Sequence, residues 1–120
     1  MLHVGVLQRR EDAADFIVKH NIGADGVILA ADEDGRFVGF SAISVKNGNT
    51  HISAAEYDDD DVCELMLRAA VSYGERRYAQ TVTTDLSEPQ RVLAALGFRL
   101  IDGQMTARTD NVVHICKKSE

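Results

Sequence analysis

The residues best placed to do chemistry form an acidic run in the middle of the chain. Asp58–Asp61 are four consecutive aspartates, and Glu64 follows three residues later. Several carboxylates could hold a divalent cation, but the run lacks the alternating ligands and the glycine of an EF-hand loop. At the start of a helix the same carboxylates would face the positive end of the helix dipole. Stabilisation of a helix start is therefore the favoured interpretation and no metal site is predicted; cation binding and docking of a basic partner are the alternatives.

The cysteines and histidines show no metal-ligand pattern. Cys63 and Cys116 have no CxxC spacing, and the four histidines have no spacing typical of a ligand pair, so neither a zinc site nor a disulfide framework is predicted. The helix dipole could lower the pKa of Cys63 and make it a nucleophile, but the adjacent acids oppose that effect. We therefore expect structural roles for both cysteines, with Cys116 in the core near the end of a strand.

The composition predicts one domain over residues 1–120. The chain is 45% hydrophobic and 27% charged, with a formal net charge of −6. A chain of this length buries about two-thirds of its extended surface on folding, which is enough for a core without disulfides or metals. Net acidity without a basic stripe argues against nucleic acid as a partner. Because no signal peptide and no apolar run of about 20 residues is found, we expect a cytoplasmic protein that does not act on membranes.

Hydrophobic periodicity and turn residues predict the element order β-α-β-β-β-α-β-α-β-β. Strands are predicted over residues 1–7, 26–31, 36–45, 50–57, 79–84, 98–101 and 111–116, and helices over 11–21, 60–77 and 87–96. Asp34-Gly35 and Asn47-Gly48 predict two tight hairpins, and Asp102-Gly103 predicts a third turn. Ser87 is the expected cap of the last helix, and Gly97 its end. The long helix predicts a parallel pairing of the strands on either side of it.

Residues 62–100 resemble the second half of the GNAT superfamily of acyl-CoA-dependent N-acetyltransferases. The matching residues are Leu67-Arg68-Ala69-Ala70, Tyr73, Arg76-Arg77-Tyr78 and Leu96-Gly97-Phe98, and the hairpin Asp34–Phe40 is similar to a hairpin of that family. The resemblance covers residues 26 to about 101. It implies a GNAT-like mixed α/β fold, in which about three helices flank a mostly antiparallel central sheet. The family usually has two N-terminal helices, whereas one is predicted here.

The resemblance implies where a cofactor would bind. In the family, the pyrophosphate of acetyl-CoA lies on backbone N–H groups at the start of the long helix, in a loop reading Q/R-x-x-G-x-G/A. Asp58 stands in place of the Arg or Gln, and Asp61 and Cys63 replace the two small residues. The expected cofactor contacts are the backbone groups of Asp61, Val62, Cys63 and Glu64. Repulsion between a carboxylate and one phosphate charge about 6 Å away costs about 2.8 kcal/mol at an effective permittivity of 20. This degenerate motif is therefore expected to bind a pyrophosphate poorly.

The resemblance also implies two catalytic residues. The tyrosine that often protonates the leaving thiolate falls on Leu93, and the asparagine often found before it falls on Leu86. The carboxylate that commonly acts as general base has a counterpart in Glu56, which has Tyr57 beside it. Glu56 and Tyr57 are therefore the predicted catalytic residues.

Two functions stay open from the sequence. The first is a divergent acyltransferase that moves an acetyl or acyl group from acyl-CoA to an unknown amine, on a small molecule or a peptide. The second is a non-catalytic GNAT-fold binding or dimerisation module that has lost CoA binding. Acetyl-CoA is the expected cofactor of the first, and the second needs none. A homodimer is expected by analogy with the family alone.

Overall fold

A seven-stranded sheet organises the computed structural model, which describes the backbone of residues 1–118 and the side chains of residues 1–115. Its strands are β1 (Leu2–Val6), β2 (Val27–Glu33), β3 (Arg36–Lys46), β4 (Asn49–Tyr57), β5 (Thr81–Thr84), β6 (Arg99–Ile101) and β7 (Gln104–Arg108). The α-helices are α1 (Ala14–Lys19), which follows a 3₁₀ turn over Arg10–Ala13, α2 (Asp60–Glu75), α3 (Gln90–Ala95) and α4 (Thr109–Lys118). The strands lie in the order β1-β2-β3-β4-β5-β7-β6.

Three tight turns set the antiparallel hairpins β2–β3, β3–β4 and β6–β7. Asp34-Gly35, Asn47-Gly48 and Asp102-Gly103 each have two consecutive positive φ angles, between 52° and 90°. This is the conformation of type I′ turns, whose twist matches that of the flanking strands. The two predicted hairpins and the predicted turn at Asp102-Gly103 are confirmed, but the strand that follows this turn is β7 rather than residues 111–116.

The strands β4 and β5 separate into a fork. Asn49–Ile52 pair in parallel with Thr81–Thr84, as α2 between the strands predicts. A bulge follows on β4, because Ala42 lies opposite Ala54 while Ile43 lies opposite Ile52, which leaves Ser53 as an extra residue. Beyond it β4 pairs with β3 as far as Tyr57. Along residues 54–57, no strand in the described part of the chain pairs with the β5 side of β4.

Helices cover both faces of the sheet, and clusters of buried hydrophobic residues lie between them and the sheet. On one face α2, α3 and α4 pack over a cluster that includes Ile52, Leu67, Val82, Leu93 and Val112. On the other face, Phe16 of α1 packs with Ile28, Ala42 and Ala54. The fold is therefore an arrangement of three layers, and the predicted mixed α/β class is confirmed. None of the helices in residues 1–118 has the length and hydropathy needed to cross a membrane.

The end of the chain differs from the prediction of a strand over residues 111–116. The last strand is β7, and residues 109–118 form α4, so the structure has four α-helices rather than about three. Short apolar runs fit both a strand and a helix, and only packing decides between them. Here Val112 is fully buried and α4 packs against α2. The side chain of Cys116 lies outside the described residues.

The start of α3 also differs from the prediction. Pro89 is the N-cap residue, and no side chain caps the helix, so Ser87 does not cap it. Because Pro89 has extended backbone angles, the helix begins only at Gln90. Gly97, with φ of 92°, follows the helix as predicted.

Candidate functional site

Two residues, Asp58 and Asp59, connect β4 to α2. The N–H of Asp58 donates to the carbonyl of Val38 at 3.0 Å, which holds the connection against β3. Asp59 is the N-cap residue, and its Oδ1 accepts a hydrogen bond from the N–H of Val62 at 3.0 Å. The Cys63 N–H donates to the carbonyl of Asp59 at 3.1 Å. The chain thus places its own carboxylate where the helix start would attract an anion.

Asp58–Asp61 and Glu64, here called the acidic cluster, are partly neutralised by arginines. The ion pairs are Arg36–Asp58 at 3.3 Å, Arg91–Asp60 at 3.2 Å and Arg68–Glu64 at 3.1 Å. Asp61 is exposed. The cluster therefore keeps a net negative charge. Within the part of the chain that the structure describes, no group of three His, Cys, Asp or Glu residues could hold a metal ion.

The four residues predicted to contact a cofactor through their backbone lie together in the first turns of α2. Two of their N–H groups, those of Val62 and Cys63, donate to Asp59. Glu64 lies far enough into the helix for its N–H to bond to the preceding turn. Asp61 is the residue whose N–H has no partner inside the helix. Of the four predicted backbone N–H groups, only that of Asp61 would therefore be available to a pyrophosphate, and aspartate side chains surround it. The four residues do not fit a pyrophosphate.

Tyr57 and Cys63 form a protonated pair beneath this helix start. Cys63 is fully buried and hydrogen-bonds to the half-buried Tyr57. Burial is the main cause that raises the pKa of the Cys63 thiol to about 11, and the charges of Asp60 and Glu64 act in the same direction. Burial is also the main cause that raises the pKa of Tyr57 above its usual value, and the neighbouring Cys63 adds to the shift. Both groups stay neutral near pH 7, so Cys63 is a core residue rather than a thiolate nucleophile.

Glu56 lies on the other face of the sheet, in an ion-paired group with α1. Its Oε2 accepts a hydrogen bond from His20 Nε2 at 2.6 Å and lies 3.4 Å from Lys19 Nζ. The hydrogen bond from His20 is the main cause that lowers the pKa of Glu56 below its usual value. A general base works best with a pKa near neutrality. The surroundings of Glu56 shift its pKa in the opposite direction.

Glu56→Gln is expected to lower the free energy of unfolding by about 0.5–1 kcal/mol at pH 7, because the lost pairs are partly exposed to solvent. Since folding lowers the pKa of Glu56, its contribution is present above pH 4.5, the usual value, and is lost as the pH falls through the folded-state value. Urea unfolding at pH 7, 4.5 and 3 should show the difference shrinking. Glu75→Gln is the control, since no ion pair of Glu75 is recorded in residues 1–118. A difference independent of pH would contradict this assignment.

The positions of the family's acid and asparagine hold core residues. Leu93 on α3 is fully buried, and Leu86 packs against the same cluster. Neither side chain can donate a proton. No other tyrosine in the described residues takes their place. Tyr57 lies on β4, but burial raises its pKa; Tyr73 packs under Arg77 on α2, and Tyr78 is exposed beyond the end of α2.

A chain of polar side chains at the base of the fork was not singled out by the sequence analysis. His51 Nδ1 lies 2.7 Å from Thr83 Oγ1, and His51 Nε2 lies 3.0 Å from Asp85 Oδ2. Thr83 Oγ1 also accepts a hydrogen bond from Asn49 Nδ2 at 2.9 Å. Polar residues at alternate positions of two strands would have been the available signal. Because both ring nitrogens are engaged, His51 ties β4 to β5 rather than offering a free base.

Five cavities over the described residues have volumes of about 220–590 Å³, and residues 54–64 line none of these five. The largest of the five lies where the C-terminal end of α2 meets Arg108 and Thr109. Another, of about 380 Å³, follows the edge strand β1. These five cavities therefore lie away from the part of β4 that follows the bulge.

Comparison with solved structures finds N-acetyltransferases. The ribosomal-protein-S18-alanine N-acetyltransferase of Escherichia coli matches with a TM-score of 0.72 at 15% identity, over 91% of this chain and 94% of that one. The IAA acetyltransferase of Bacillus cereus matches with a TM-score of 0.69 at 10% identity, over 90% and 99% of the two chains. The E. coli protein YhhK, assigned as an N-acetyl transferase and solved with coenzyme A bound, gives 0.67 at 15% identity, over 90% and 98%.

No family model matches the sequence, and no curated protein matches it. The structural likenesses show that the chain has the GNAT fold, so the resemblance drawn from the sequence is confirmed for the fold.

Proposed function

We propose that this GNAT-fold chain is a binding module that does not hold the pyrophosphate of CoA at the start of α2. The observation that carries the proposal is the capping of α2 by Asp59, whose Oδ1 accepts from the Val62 N–H at 3.0 Å. A nucleotide pyrophosphate would have to displace this carboxylate. The connection of two residues between β4 and α2 leaves little room for the displaced side chain.

Electrostatics supports the same proposal. Ion pairs with arginines leave the acidic cluster with a net negative charge at the spot where a pyrophosphate would lie. A single uncompensated carboxylate at about 6 Å costs about 2.8 kcal/mol per phosphate charge at an effective permittivity of 20. That cost corresponds to about a hundredfold loss of affinity.

The predicted catalytic residues give a third line of support. Glu56 is held ionised by His20 and Lys19, and Tyr57 is held neutral by burial and by Cys63. The position of the family's general acid is the buried Leu93. An acyl transfer between a thioester and an amine needs a base for the amine and an acid for the thiolate. The pKa of Glu56 is lowered and that of Tyr57 is raised, so neither pKa is shifted towards neutrality, as these two roles would require.

One observation favours the second candidate, an acyltransferase that takes its acyl group from acyl-CoA. Beyond the bulge at Ser53, the β5 side of residues 54–57 of β4 has no paired strand in the described part of the chain. An extended cofactor arm could bond to such a strand edge. The neighbour with bound coenzyme A shows that the fold itself admits the cofactor.

Thermal unfolding with and without millimolar acetyl-CoA separates the two candidates. The module predicts the same melting temperature in both samples. A ligand at 100 times its dissociation constant stabilises the folded state by about 2.7 kcal/mol, so binding would raise the midpoint clearly. An acetyltransferase known to bind acetyl-CoA, treated in the same way, serves as the positive control. A concentration-dependent rise for this chain would overturn the module in favour of the acyltransferase.

A further inference from the structure

The strand β1 is an unprotected edge of the sheet. The N–H of Leu7 donates to the carbonyl of Ile28 at 2.8 Å, which continues the register in which Val6 lies opposite Leu29. In an antiparallel pair, alternate residues direct both backbone groups to the partner strand. Val4 and Val6 therefore direct their N–H and C=O groups outward. The strand has no lysine, proline or bulge, which are the usual protections of an edge.

A groove of about 380 Å³ runs beside this edge. Its floor includes Gly5, where no atom lies within 4 Å of the position that a Cβ would take. Phe37, 41% exposed, forms an apolar wall, and Asp12 of the 3₁₀ turn stands on the rim. A side chain of an added strand would find open space over Gly5, an apolar contact and a carboxylate.

The charge around the groove selects for a cation. Asp12 and Asp32 line it, and Arg9 on the same rim pairs with Glu11 at 3.0 Å. Residues 1–34 contain three Lys or Arg against seven Asp or Glu. A second copy of the chain, with net charge −6, would bring like charge to this surface, whereas a basic segment would be attracted.

We propose that the β1 edge binds an extended basic peptide segment as an added strand. Main-chain hydrogen bonds would form with Val4 and Val6, and a Lys or Arg side chain would lie over Gly5 towards Asp12 and Asp32. When a peptide adds to a sheet as a strand, main-chain hydrogen bonds provide the affinity and contacts of alternate side chains provide the specificity. The inference deepens the proposed function, on which it rests, by naming the partner of the module.

Fluorescence polarisation with the full chain tests the proposal. The probe is a labelled octapeptide of alternating lysine and valine, and its matched control has glutamate in place of lysine. The lysine probe should bind saturably and the glutamate probe should not. Val6→Pro removes an outward N–H without touching the bonds to β2, so binding should weaken at least tenfold; Val6→Ala keeps the N–H and should bind like the wild type. Gly5→Leu fills the groove and should also abolish binding.

Melting temperatures establish that each variant is folded, and Gly5→Leu keeps the test valid if Val6→Pro does not fold. Equal binding of both probes, or binding that Val6→Pro and Gly5→Leu leave unchanged, would overturn the inference. A dimer that Val6→Pro converts to a monomer in light scattering, without probe binding, would also overturn it and assign the edge to a second copy. If the probe does not bind and acetyl-CoA leaves the melting temperature unchanged, this inference alone is wrong. If acetyl-CoA raises the melting temperature and the probe still binds, the proposed function alone is wrong.

Discussion

Gly74→Ala is expected to destabilise the folded chain by about 2–3 kcal/mol, because it overpacks the contact between α2 and β4. Gly74 is buried within α2, and a Cβ there would overlap Thr50 Oγ1 and lie 3.3 Å from the Cβ of Ala79. Thr50 is itself fully buried in the sheet. Alanine has a higher helix propensity than glycine, by about 1 kcal/mol. This gain is smaller than the cost of moving β4 away from α2. The steric overlap therefore makes the net effect of Gly74→Ala on the free energy of unfolding destabilising.

Urea unfolding of the single and double variants measures this effect. Thr50 Oγ1 is buried and has no hydrogen-bond partner, so its removal costs no hydrogen bond. Thr50→Ala should therefore recover most of the stability lost in Gly74→Ala, with a coupling energy above about 1 kcal/mol. Gly5→Ala is the matched control, since its Cβ would meet open space. Wild-type stability of Gly74→Ala, or additive behaviour of the pair, would show that α2 and β4 do not approach this closely.

Leu93→Ala is expected to cost about 2–5 kcal/mol, since it removes a fully buried side chain at the centre of the larger core. This is the position at which the resembled family often carries its catalytic tyrosine. Leu93→Tyr should therefore also destabilise, by about 1–3 kcal/mol, because the larger ring would overpack the same core. It should not create a general acid.

Chemical unfolding of both Leu93 variants tests this assignment. Leu100→Ala is the control: its side chain is 69% exposed, so its stability should stay within about 0.5 kcal/mol of the wild type. If Leu93→Ala were equally mild, Leu93 would face a cleft rather than the core. The position would then again be open to a catalytic role.

Local chemistry made most of the fold predictable from the sequence. The Asp-Gly and Asn-Gly dipeptides impose positive φ angles that few other residues adopt, so three turns could be placed, together with the strands beside the first two. The sixteen-residue helix α2 is long enough for its period to be unambiguous. A strand, a long helix and a strand then leave a parallel pairing as the simplest connection.

The C-terminal helix could not be predicted from the same signals. Asn111–Ile115 is a short, partly apolar stretch, and it follows β7 closely, since α4 begins at Thr109. Its helical state depends on Val112 and the packing of α4 against α2, which are separated by about 50 residues in the sequence. Tertiary contacts of this kind override short local patterns.

The candidate site was predictable only in its charge. Four adjacent aspartates at a helix start were evident, but that Asp59 is the N-cap residue is shown by the structure. The partners were not evident, because Arg36, Arg91 and His20 are distant in sequence from the carboxylates that they contact. Whether Glu56 could act as a base therefore depended on contacts that only the fold creates.

Amide NMR of the full chain during an acetyl-CoA titration tests the central claim most directly, since it reports on the helix start residue by residue. Asp59→Asn, which keeps a capping side chain but removes its charge, is the matched variant. We expect the amide signals of Asp61, Val62 and Cys63 to stay unshifted at millimolar acetyl-CoA in both proteins. Saturable shifts at these amides, accompanied by shifts in residues 54–57 of β4, would place the cofactor in the fork and contradict the account.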